Sequence, residues 1–396
     1  MISLLKDSYD AIVVGGGPAG CLSALRLSEK GHSVLLLEKD REFGVPVRCA
    51  ELVGSKGFSL AIEPKKEWIT HIAHGVTFVS PSGIPVAVPT PEPAWMLDRA
   101  RMENDMARMA ADKGADLLVR ATASALLFNS EGKINGLTVM HPEGIRDFKC
   151  RLIIAADGVE SRMAKLAGIN SAITDLNDIG ICAQYLVSGI KSDNGFPELH
   201  FGKNILPDCY AWMFPKGNGL ANLGLGIRTV SAKNESPVEV LNRFIKLRFP
   251  GVKPLRLTIG SVPLGMYLRK LITDNFMVVG DAARMANCLD GGGITFALNS
   301  ASIAAKVASD ALSNGDTSLK ALSPYEKEWQ NGIGKQQERT FKLKNAVLKV
   351  TDDTIEKAAK SLIKKKFEDL EYMDLLKTTI FNQPSLILEA IKLFKS

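Results

Sequence analysis

The feature that most constrains the fold is a glycine-rich turn at residues 15–20, placed directly after an apolar segment. Residues 9–14 read YDAIVV, which is typical of a short buried strand, and residues 18–30 predict a helix with a proline in its first turn. A second apolar strand, SVLLLE, follows at residues 33–38. The order strand, glycine turn, helix, strand predicts a parallel βαβ unit, and continuous apolar strands indicate a sheet covered on both faces.

Each glycine of this turn has its own role in binding a dinucleotide. Gly15 permits the tight turn, Gly17 lets the backbone approach a pyrophosphate, and Gly20 allows the helix to pack closely on the strand. The helix N-terminus offers free N–H groups and the positive end of its dipole to the phosphates. Glu38, at the end of the second strand, is placed to accept hydrogen bonds from an adenosine ribose. We therefore predict a dinucleotide site, because an ordinary glycine turn leaves Glu38 unexplained.

A second signal near residue 280 separates FAD from NAD. Residues 275–279 predict an apolar strand that runs into Gly280-Asp281, and glycines at 291–293 precede a long predicted helix over residues 294–312. Asp281 is placed to bond the ribityl hydroxyls of a flavin. The second glycine turn brings another helix N-terminus to the pyrophosphate or the pyrimidine edge. This pattern favours FAD.

A third strand also ends in an Asp-Gly turn. Residues 151–155 predict an apolar strand that leads into Asp157-Gly158, with Ser161-Arg162 behind it. Each of these turns is compatible with an ordinary connection between strand and helix, but three in this order are specific. The intervening residues 179–259 alternate and carry Pro, Gly and aromatic residues, so they predict a mostly antiparallel sheet inserted into the first domain.

Composition sets wide bounds on the class of protein. The chain has 396 residues, of which 46% are hydrophobic and 23% charged. These values are typical of a globular protein of two or three domains, and they exclude a disordered chain, a collagen-like repeat and a disulfide-rich miniprotein. The formal charge of +6 does not by itself indicate nucleic-acid binding, and we predict none.

The sequence predicts a cytoplasmic protein. The best candidate for a spanning helix, residues 11–25, is interrupted by glycines and a proline, and the first ten residues lack the basic cluster of a signal peptide. The six cysteines are scattered without a CxxC pair, as expected in a reducing compartment. His71 and His74 have no Cys or carboxylate cluster around them, so we interpret them as a surface segment and predict no metal site.

Two further motifs narrow the assignment. Residues 46–51 read Pro-x-Arg-Cys-Ala-Glu, and residues 207–217 read Pro-x-x-Tyr-x-Trp-x-Phe-Pro-Lys-Gly, with Gly224 and Gly226 behind them. With the three glycine turns, the chain resembles the FAD-dependent oxidoreductases of the aromatic-hydroxylase type over nearly its whole length. Within them it is similar to the geranylgeranyl reductase family.

The resemblance implies an α/β plus β fold class. It consists of a Rossmann-type FAD-binding domain, an inserted antiparallel-sheet substrate domain like that of the aromatic hydroxylases, and a helical C-terminal region. The predicted boundaries are 1–75 with 97–178 and 267–330 for the FAD-binding domain, 76–96 with 179–266 for the substrate domain, and 331–396 for the helical region.

The resemblance also implies residues that contact FAD beyond the glycines and Glu38. Arg101 matches an arginine that reaches the phosphates or the ribityl chain, and Ala125 matches a backbone contact to adenine. Arg48, which a solvent-exposed charge explains equally well, belongs to the segment expected along the flavin. The remaining implied contacts are Ala19, Cys49, Ala50, Leu52, Asp157, Asp281, Gly293 and Ile294.

The implied function is reduction of the C=C bonds of geranylgeranyl chains in archaeal-type membrane ether lipids, by hydride transfer from reduced FAD. Tyr210 and Trp212 alternate as on a strand, so they share one face and form either an aromatic wall against the alkene chain or ordinary core packing. Cys49 is the candidate proton donor, with a tyrosine, water or the flavin as alternatives. NAD(P)H or reduced ferredoxin is the implied electron donor.

Alternatives of other classes remain open on the sequence. A flavin monooxygenase or halogenase has the same fold, and residues 210–215 loosely echo a halogenase motif. A non-catalytic flavin-dependent redox sensor at a membrane is a third reading. Residues 331–396 hold 13 Lys and Arg against 9 Asp and Glu, so the C-terminal region is a candidate for peripheral contact with the inner face of an anionic membrane. Its apolar residues include Leu386, Ile387, Leu388, Ile391, Leu393 and Phe394.

Overall fold

A computed structural model describes residues 2–169, 176–192, 194–203, 206, 209–230 and 235–383. Within them the chain forms two eight-stranded sheets. Numbered along the chain, the strands of the first sheet are β1 Ser8–Val14, β2 Val34–Leu37, β6 Asp116–Leu118, β7 Thr122–Phe128, β8 Ile134–His141, β9 Gly144–Ala155, β15 Ile272–Thr273 and β16 Phe276–Val278. Those of the second sheet are β3 Leu52–Gly54, β4 Ile69–Val79, β5 Pro85–Leu97, β10 Ile179–Ser188, β11 Glu198–His200, β12 Cys209–Gly217, β13 Leu220–Arg228 and β14 Lys253–Pro263.

Helices lie on both sheets and make up most of the C-terminal region. They are α1 Pro18–Glu29, α2 Ser55–Ala61, α3 Arg99–Asp112, α4 Arg162–Leu166, α5 Pro237–Arg248, α6 Ile294–Ser313, α7 Leu319–Asn331, α8 Ile333–Val347, α9 Asp352–Leu362 and α10 Tyr372–Asn382. Among the described residues, no helix combines the length and the apolar content that crossing a bilayer requires.

The first sheet has the predicted parallel core. Its order is β15-β16-β9-β1-β2-β6, and β1 pairs in parallel with β2 on one side and with β9 on the other. Helix α1 connects β1 to β2 and packs against α3 and α6. Because parallel strands end at the same edge, the turns after β1, β9 and β16 meet at the carboxyl edge of this sheet. The three Gly-rich and Asp-rich turns predicted from the sequence therefore lie together.

The second sheet has the order β14-β10-β13-β12-β11-β4-β5-β3 and is antiparallel except where β11 runs parallel to β4. Residues Ala183, Met213 and Leu225 face helix α5 in a buried cluster, so the alternate residues of the same strands face the opposite way. That second face points toward the carboxyl edge of the first sheet. We refer to it below as the cavity face.

The predicted division after residue 75 falls inside β4, which begins at Ile69, and residues 52–54 also belong to the second sheet as β3. The pairing of β4 with β5 shifts register between Ile69 and His71 and again between Ala73 and Gly75. These irregularities break the period-two alternation that marks a strand in the sequence. The second sheet therefore starts earlier in the chain than the pattern predicts.

Candidate active site

A cavity of about 2000 Å³ connects the two sheets. It extends from the carboxyl edge of the first sheet, across the cavity face of the second, to the C-terminal helices. A pocket for one small ligand is typically ~300–1,000 Å³, so this volume is large enough for a dinucleotide and a second ligand. Of the predicted site residues, those that line it are Gly15, Gly17, Ala19, Glu38, Arg48, Cys49, Ala50, Leu52, Asp157, Tyr210, Trp212, Asp281, Gly293 and Ile294.

The first glycine turn is built around two close backbone approaches and one open position. Gly15 has a φ of 104°, and a Cβ on it would lie 2.3 Å from the carbonyl oxygen of Ala156. A Cβ on Gly20 would lie 1.7 Å from the carbonyl oxygen of Gly15, whereas a Cβ on Gly17 would meet no atom within 4 Å. Gly20 does not line the cavity because it is the contact between α1 and β1. Gly17 instead leaves an open cradle beside the helix start.

Two helix N-termini face this cradle without side-chain caps. Helix α1 begins after Gly17 and α6 begins after Gly293, and neither has an acidic residue in its first turn. Their first N–H groups are therefore free to bind an anion. The Oδ1 atom of Asp157, which also lines the cavity, is buried and has no hydrogen-bond partner among the described residues. Burial raises the pKa of this carboxyl group. Free donors and an orphaned acceptor fit the phosphates and hydroxyls of FAD.

The two remaining predicted carboxylates differ in their environment. Both oxygens of Glu38 accept backbone N–H bonds, from Gly16 at 2.6 Å and from Asp40 at 2.7 Å, so the end of β2 is held against the glycine turn. Asp281 lies at the start of the turn after β16, within contact distance of a Cβ placed on Gly293. Burial raises the pKa of Asp281, although the nearby Arg99 guanidinium opposes this. Hydrogen bonds from a polyol would offset that burial.

Arg99, rather than Arg101, is the arginine of helix α3 that lines the cavity. Its Nε donates to Glu103 at 2.6 Å, and both side chains of this ion pair are largely buried. Burial lowers the pKa of Arg99, but the charge of Glu103 and the neighbouring Cys49 outweigh it and raise that pKa overall. Arg101 is exposed, and its backbone N–H donates to the side chain of the cap residue Asp98. Its predicted contact with FAD stays a prediction.

Ala125 also lies outside the cavity lining, on an exposed position of β7. The residues of that region that line the cavity are 121–123, just before Ala125.

No group of three or more His, Cys, Asp or Glu side chains is arranged to hold a metal ion in the part of the chain that the structure describes. His71 instead bonds the carbonyl oxygen of Gly195 at 2.6 Å.

The segment Arg48–Glu51 crosses the cavity face from strand to strand. Arg48 lies against Gly260 of β14, where a Cβ on the glycine would be in ordinary van der Waals contact, 3.4 Å from the Cβ of Arg48. The next three carbonyl oxygens, of residues 49, 50 and 51, each accept from one donor. These donors are the Gln184 side chain at 3.0 Å, the Asn222 side chain at 3.1 Å and the Leu97 backbone N–H at 2.9 Å. The second sheet thus fixes the segment predicted to lie along the flavin.

Glu51 anchors the end of this segment. Its Oε2 accepts from Lys216 at 2.5 Å and from Asn222 at 2.8 Å, and its Oε1 accepts from the backbone N–H of Arg99 at 3.0 Å. Lys216 also donates to the carbonyl oxygen of Leu97 at 2.8 Å. Both members of this ion pair are largely buried. The Lys of the second sequence motif is therefore the partner of the Glu of the first, a pairing that their separation in the sequence concealed.

Aromatic side chains of β12 form the wall of the cavity beside this segment. Tyr210 and Trp212 share the cavity face as predicted, and Phe214 shares it too, with ring centroids 5.8 and 6.1 Å apart along the row. The Tyr210 hydroxyl donates to the carbonyl oxygen of Asp290 in the second glycine turn. Trp212 belongs to a buried cluster with Phe214 and Met96, so the row packs a core and also lines the cavity. Its contact with an alkene chain stays a prediction. Pro207 of the motif lies outside the described residues.

The far wall of the cavity comes from the C-terminal helices. Leu343 of α8, with Ile355, Ala359 and Leu362 of α9, lines the cavity. Ala359 and Leu362 pack in a buried cluster with Val76, Val86 and Val88 of β4 and β5. These lining residues are apolar, and Lys344 and Asp352 of the same helical region also line the cavity. The sequence predicted these helices but not their place in the site, because their lysine content directed attention to an outer surface. Leu386–Phe394 lie outside the described residues.

Comparison with known proteins agrees with this geometry. A family model of the FAD binding domain matches residues 8–189, and a model of the geranylgeranyl reductase catalytic domain matches residues 178–262. The chain is 36% identical to a digeranylgeranylglycerophospholipid reductase of Methanocella arvoryzae, over 98% of this chain and 100% of the relative. The chain belongs to the geranylgeranyl reductase family. The catalytic-domain match of the family covers β10 to β14, the strands that form the cavity face under residues 48–51.

Solved structures support the same family and fold. The chain is similar to a geranylgeranyl bacteriochlorophyll reductase-like protein from Thermoplasma acidophilum, with a TM-score of 0.89, 29% identity and coverage of 98% of this chain and 99% of the other. A flavin-dependent brominase shares the fold with a TM-score of 0.71 at 17% identity, over 98% of this chain and 93% of the other. The second likeness shows the fold alone, so it does not favour the halogenase alternative.

Proposed function

We propose that the protein is an FAD-dependent reductase that saturates the C=C bonds of geranylgeranyl chains in archaeal-type membrane ether lipids. The observation that carries this proposal is the single cavity of about 2000 Å³ that joins an anion-binding glycine cradle to an apolar end. The first part suits FAD and the second suits a long isoprenoid chain. The aromatic row Tyr210, Trp212 and Phe214 lies between them, where an alkene would meet the flavin.

The protein binds FAD through the first sheet. The uncapped N-termini of α1 and α6 would hold the pyrophosphate, and Asp157 and Asp281 would accept hydrogen bonds from hydroxyl groups. When bound, reduced FAD supplies the hydride for one carbon of the double bond. The protein itself supplies position and the exclusion of water.

An isolated alkene is weakly polarised, so alignment matters more than any single charge. The aromatic row on β12 would restrict where the chain can lie, and the apolar residues of α8 and α9 would shield it from water. Reduction also requires a proton at the second carbon. We propose Cys49 as its source, because it lines the cavity within the segment expected along the flavin. Its sulfur would take a proton from solvent afterwards, which balances the reaction.

The test is anaerobic incubation of the reduced enzyme with an unsaturated lipid that carries geranylgeranyl chains. We expect mass spectrometry to show products heavier by successive pairs of hydrogen atoms as the flavin is oxidised. A lipid that stays unchanged, with the flavin reoxidised only after air is admitted, would contradict the proposal. When the incubation is repeated in air with halide, a product that gains oxygen or halogen would favour the monooxygenase or halogenase reading. Redox-dependent liposome binding without any product would favour the sensor.

Two finer parts of the proposal concern partners. NAD(P)H and reduced ferredoxin are the candidate electron donors, and anaerobic flavin reduction by each, followed by absorbance, distinguishes them. Peripheral membrane contact through the basic C-terminal region would bring the apolar end of the cavity toward its lipid. Liposome flotation at low and high salt tests that contact, because attraction to anionic lipids weakens with ionic strength.

A further inference from the structure

Three residues of the cavity face lie in one row across neighbouring strands. Trp212 of β12 pairs with Gly224 of β13, and Gly224 pairs with Gln184 of β10. Adjacent strands are roughly 4.8 Å apart, so the backbones of Trp212 and Gln184 are separated by roughly 10 Å. The indole crosses that distance because Gly224 has no side chain. A Cβ on Gly224 would lie 2.6 Å from Cζ2 of Trp212 and 2.8 Å from the carbonyl oxygen of Ala183.

The Gln184 side chain links this ring to the cysteine segment. Its Oε1 accepts from the indole Nε1 of Trp212 at 2.9 Å, and its Nε2 donates to the carbonyl oxygen of Cys49 at 3.0 Å. Gln184 is 8% exposed, so both ends of a nearly buried amide are engaged. Such an amide holds a fixed orientation. Rotating it by half a turn would place its NH2 group against the indole N–H and its oxygen against the carbonyl oxygen of Cys49, so both hydrogen bonds would be lost. The indole N–H is therefore not available to a ligand, and only the ring faces the cavity.

We propose that Gln184 is a positioning residue, which couples the place of the Trp212 ring to the place of Cys49 beside the flavin. An isoprenoid chain that packs on the ring would stabilise one position of the indole, and the rigid amide would carry that constraint to the cysteine carbonyl. The proposal deepens the proposed function and rests on it for the identity of the chain on the ring. The hydrogen-bonded link itself does not depend on which lipid binds.

The first test measures how fast iodoacetamide alkylates Cys49 in the FAD-loaded enzyme without lipid, by peptide mass mapping. Gln184→Met removes both hydrogen bonds at similar length, and Trp212→Phe removes the indole donor together with the volume of one ring. We expect Gln184→Met, which breaks the bond to the Cys49 carbonyl, to alkylate about fivefold faster than the wild type, the effect of losing one net hydrogen bond at that residue. Trp212→Phe should alkylate faster than the wild type by at most that factor. The double variant should be no faster than Gln184→Met alone, because both changes break the same link.

Phe214→Leu is the matched control. It removes aromatic volume from the same row, two residues from Trp212, without removing a hydrogen bond to Gln184. We expect it to leave the Cys49 alkylation rate within twofold of the wild type. An equal increase in this control would mean that loose packing, not the link, governs Cys49, and would overturn the proposal.

The second test is steady-state reduction of geranylgeranyl diphosphate. Gln184→Met should lower kcat about fivefold while KM changes less than twofold, because the indole still offers its apolar face to the chain and the loss falls on the position of Cys49. If an active Gln184→Met enzyme has an unchanged alkylation rate and an unchanged kcat, the inference about Gln184 is overturned and the proposed function is not affected. Altered, non-additive alkylation in an enzyme that reduces no prenyl lipid would support the link and contradict the proposed function. If Gln184→Met does not bind FAD, Trp212→Phe tests the same link from its other end.

Discussion

The two halves of the cavity are built by opposite means. Around the glycine turns of the first sheet the site is backbone: helix N-termini, close approaches of main chain, and carboxylates at strand ends. On the second sheet the site is side chain: an aromatic row, an amide and a buried ion pair that hold a crossing segment. The first half therefore tolerates few substitutions at its glycines. The second half depends on pairs of residues that are far apart in the sequence.

The sharpest test of the backbone half compares two glycines of the same turn. Gly20→Ala places a methyl group against the carbonyl oxygen of Gly15, whereas Gly17→Ala places one in open space. We expect Gly20→Ala to lower the free energy of unfolding of the FAD-free protein by about 3–5 kcal/mol, since backbone must move. We expect Gly17→Ala to change that free energy by less than ~0.5 kcal/mol.

The same pair separates folding from binding. Gly17→Ala fills the cradle beside the free N-terminus of α1, so FAD affinity should fall at least about tenfold, as measured by flavin fluorescence titration. Normal FAD binding by a well-folded Gly17→Ala variant would show that the pyrophosphate does not approach this glycine. Denaturant unfolding of both variants provides the folding control.

The side-chain half is tested by its buried ion pair. Lys216→Met leaves the largely buried Glu51 carboxylate without its ion-pair partner, and its remaining donors among the described residues are Asn222 and the Arg99 backbone. We expect the free energy of unfolding to fall by about 3 kcal/mol. Lys39→Met is the matched control, because its partner Glu160 and Lys39 itself are both exposed. That change should cost less than ~1 kcal/mol, and equal losses would contradict the anchoring role of Glu51.

The apolar end of the cavity is tested by a charge on the C-terminal wall. Leu343→Glu places a carboxylate in the cavity lining, so KM for the prenyl lipid should rise about tenfold or more while FAD binding stays unchanged. Lys364→Glu, an exposed charge change just beyond α9, serves as the control. If both variants weaken lipid reduction equally, electrostatic attraction to the lipid surface would explain the effect better than the cavity wall.

This contrast also explains what the sequence could predict. In the backbone half, function follows from order along a short stretch: strand, glycines, helix, acid. The turns at residues 15–20, 157–158 and 280–281 were therefore predicted, and the structure brings them together. The resemblance pointed to Arg101, whereas the arginine of α3 that lines the cavity is Arg99. Side chains two positions apart on a helix point to nearly opposite sides. The residue at which α3 starts therefore determines which of the two arginines faces the cavity.

In the side-chain half, function depends on register between strands. Trp212 meets Gln184 only because both pair with Gly224, and no local pattern in the sequence marks Gln184. The Glu51 and Lys216 pair lay within two motifs, but nothing in their spacing joins them. Lysines likewise obscured the inward apolar face of α9, although Ala359 and Leu362 recur at helical spacing. Tertiary pairing, not local propensity, supplied this information.

The smallest expected effect concerns the backbone half, where the burial of Asp281, a predicted contact of the FAD ribityl chain, costs stability. Burial raises its pKa above the ordinary value of 3.8, so the folded FAD-free protein holds this proton more tightly than the unfolded chain. Its contribution to stability is therefore complete below pH ~3.8 and is lost as pH rises through the raised pKa.

Asp281→Asn removes that loss of stability at high pH. We expect the variant's FAD-free form to match the wild type at the acid end and to exceed it by about 1 kcal/mol at pH 8, measured by urea unfolding across this range. FAD affinity should move the opposite way and fall, because the amide replaces a carboxylate acceptor. A variant that is less stable than the wild type at pH 8 would mean that the carboxylate is held by partners within the protein, and the backbone half would then be as preorganised as the side-chain half.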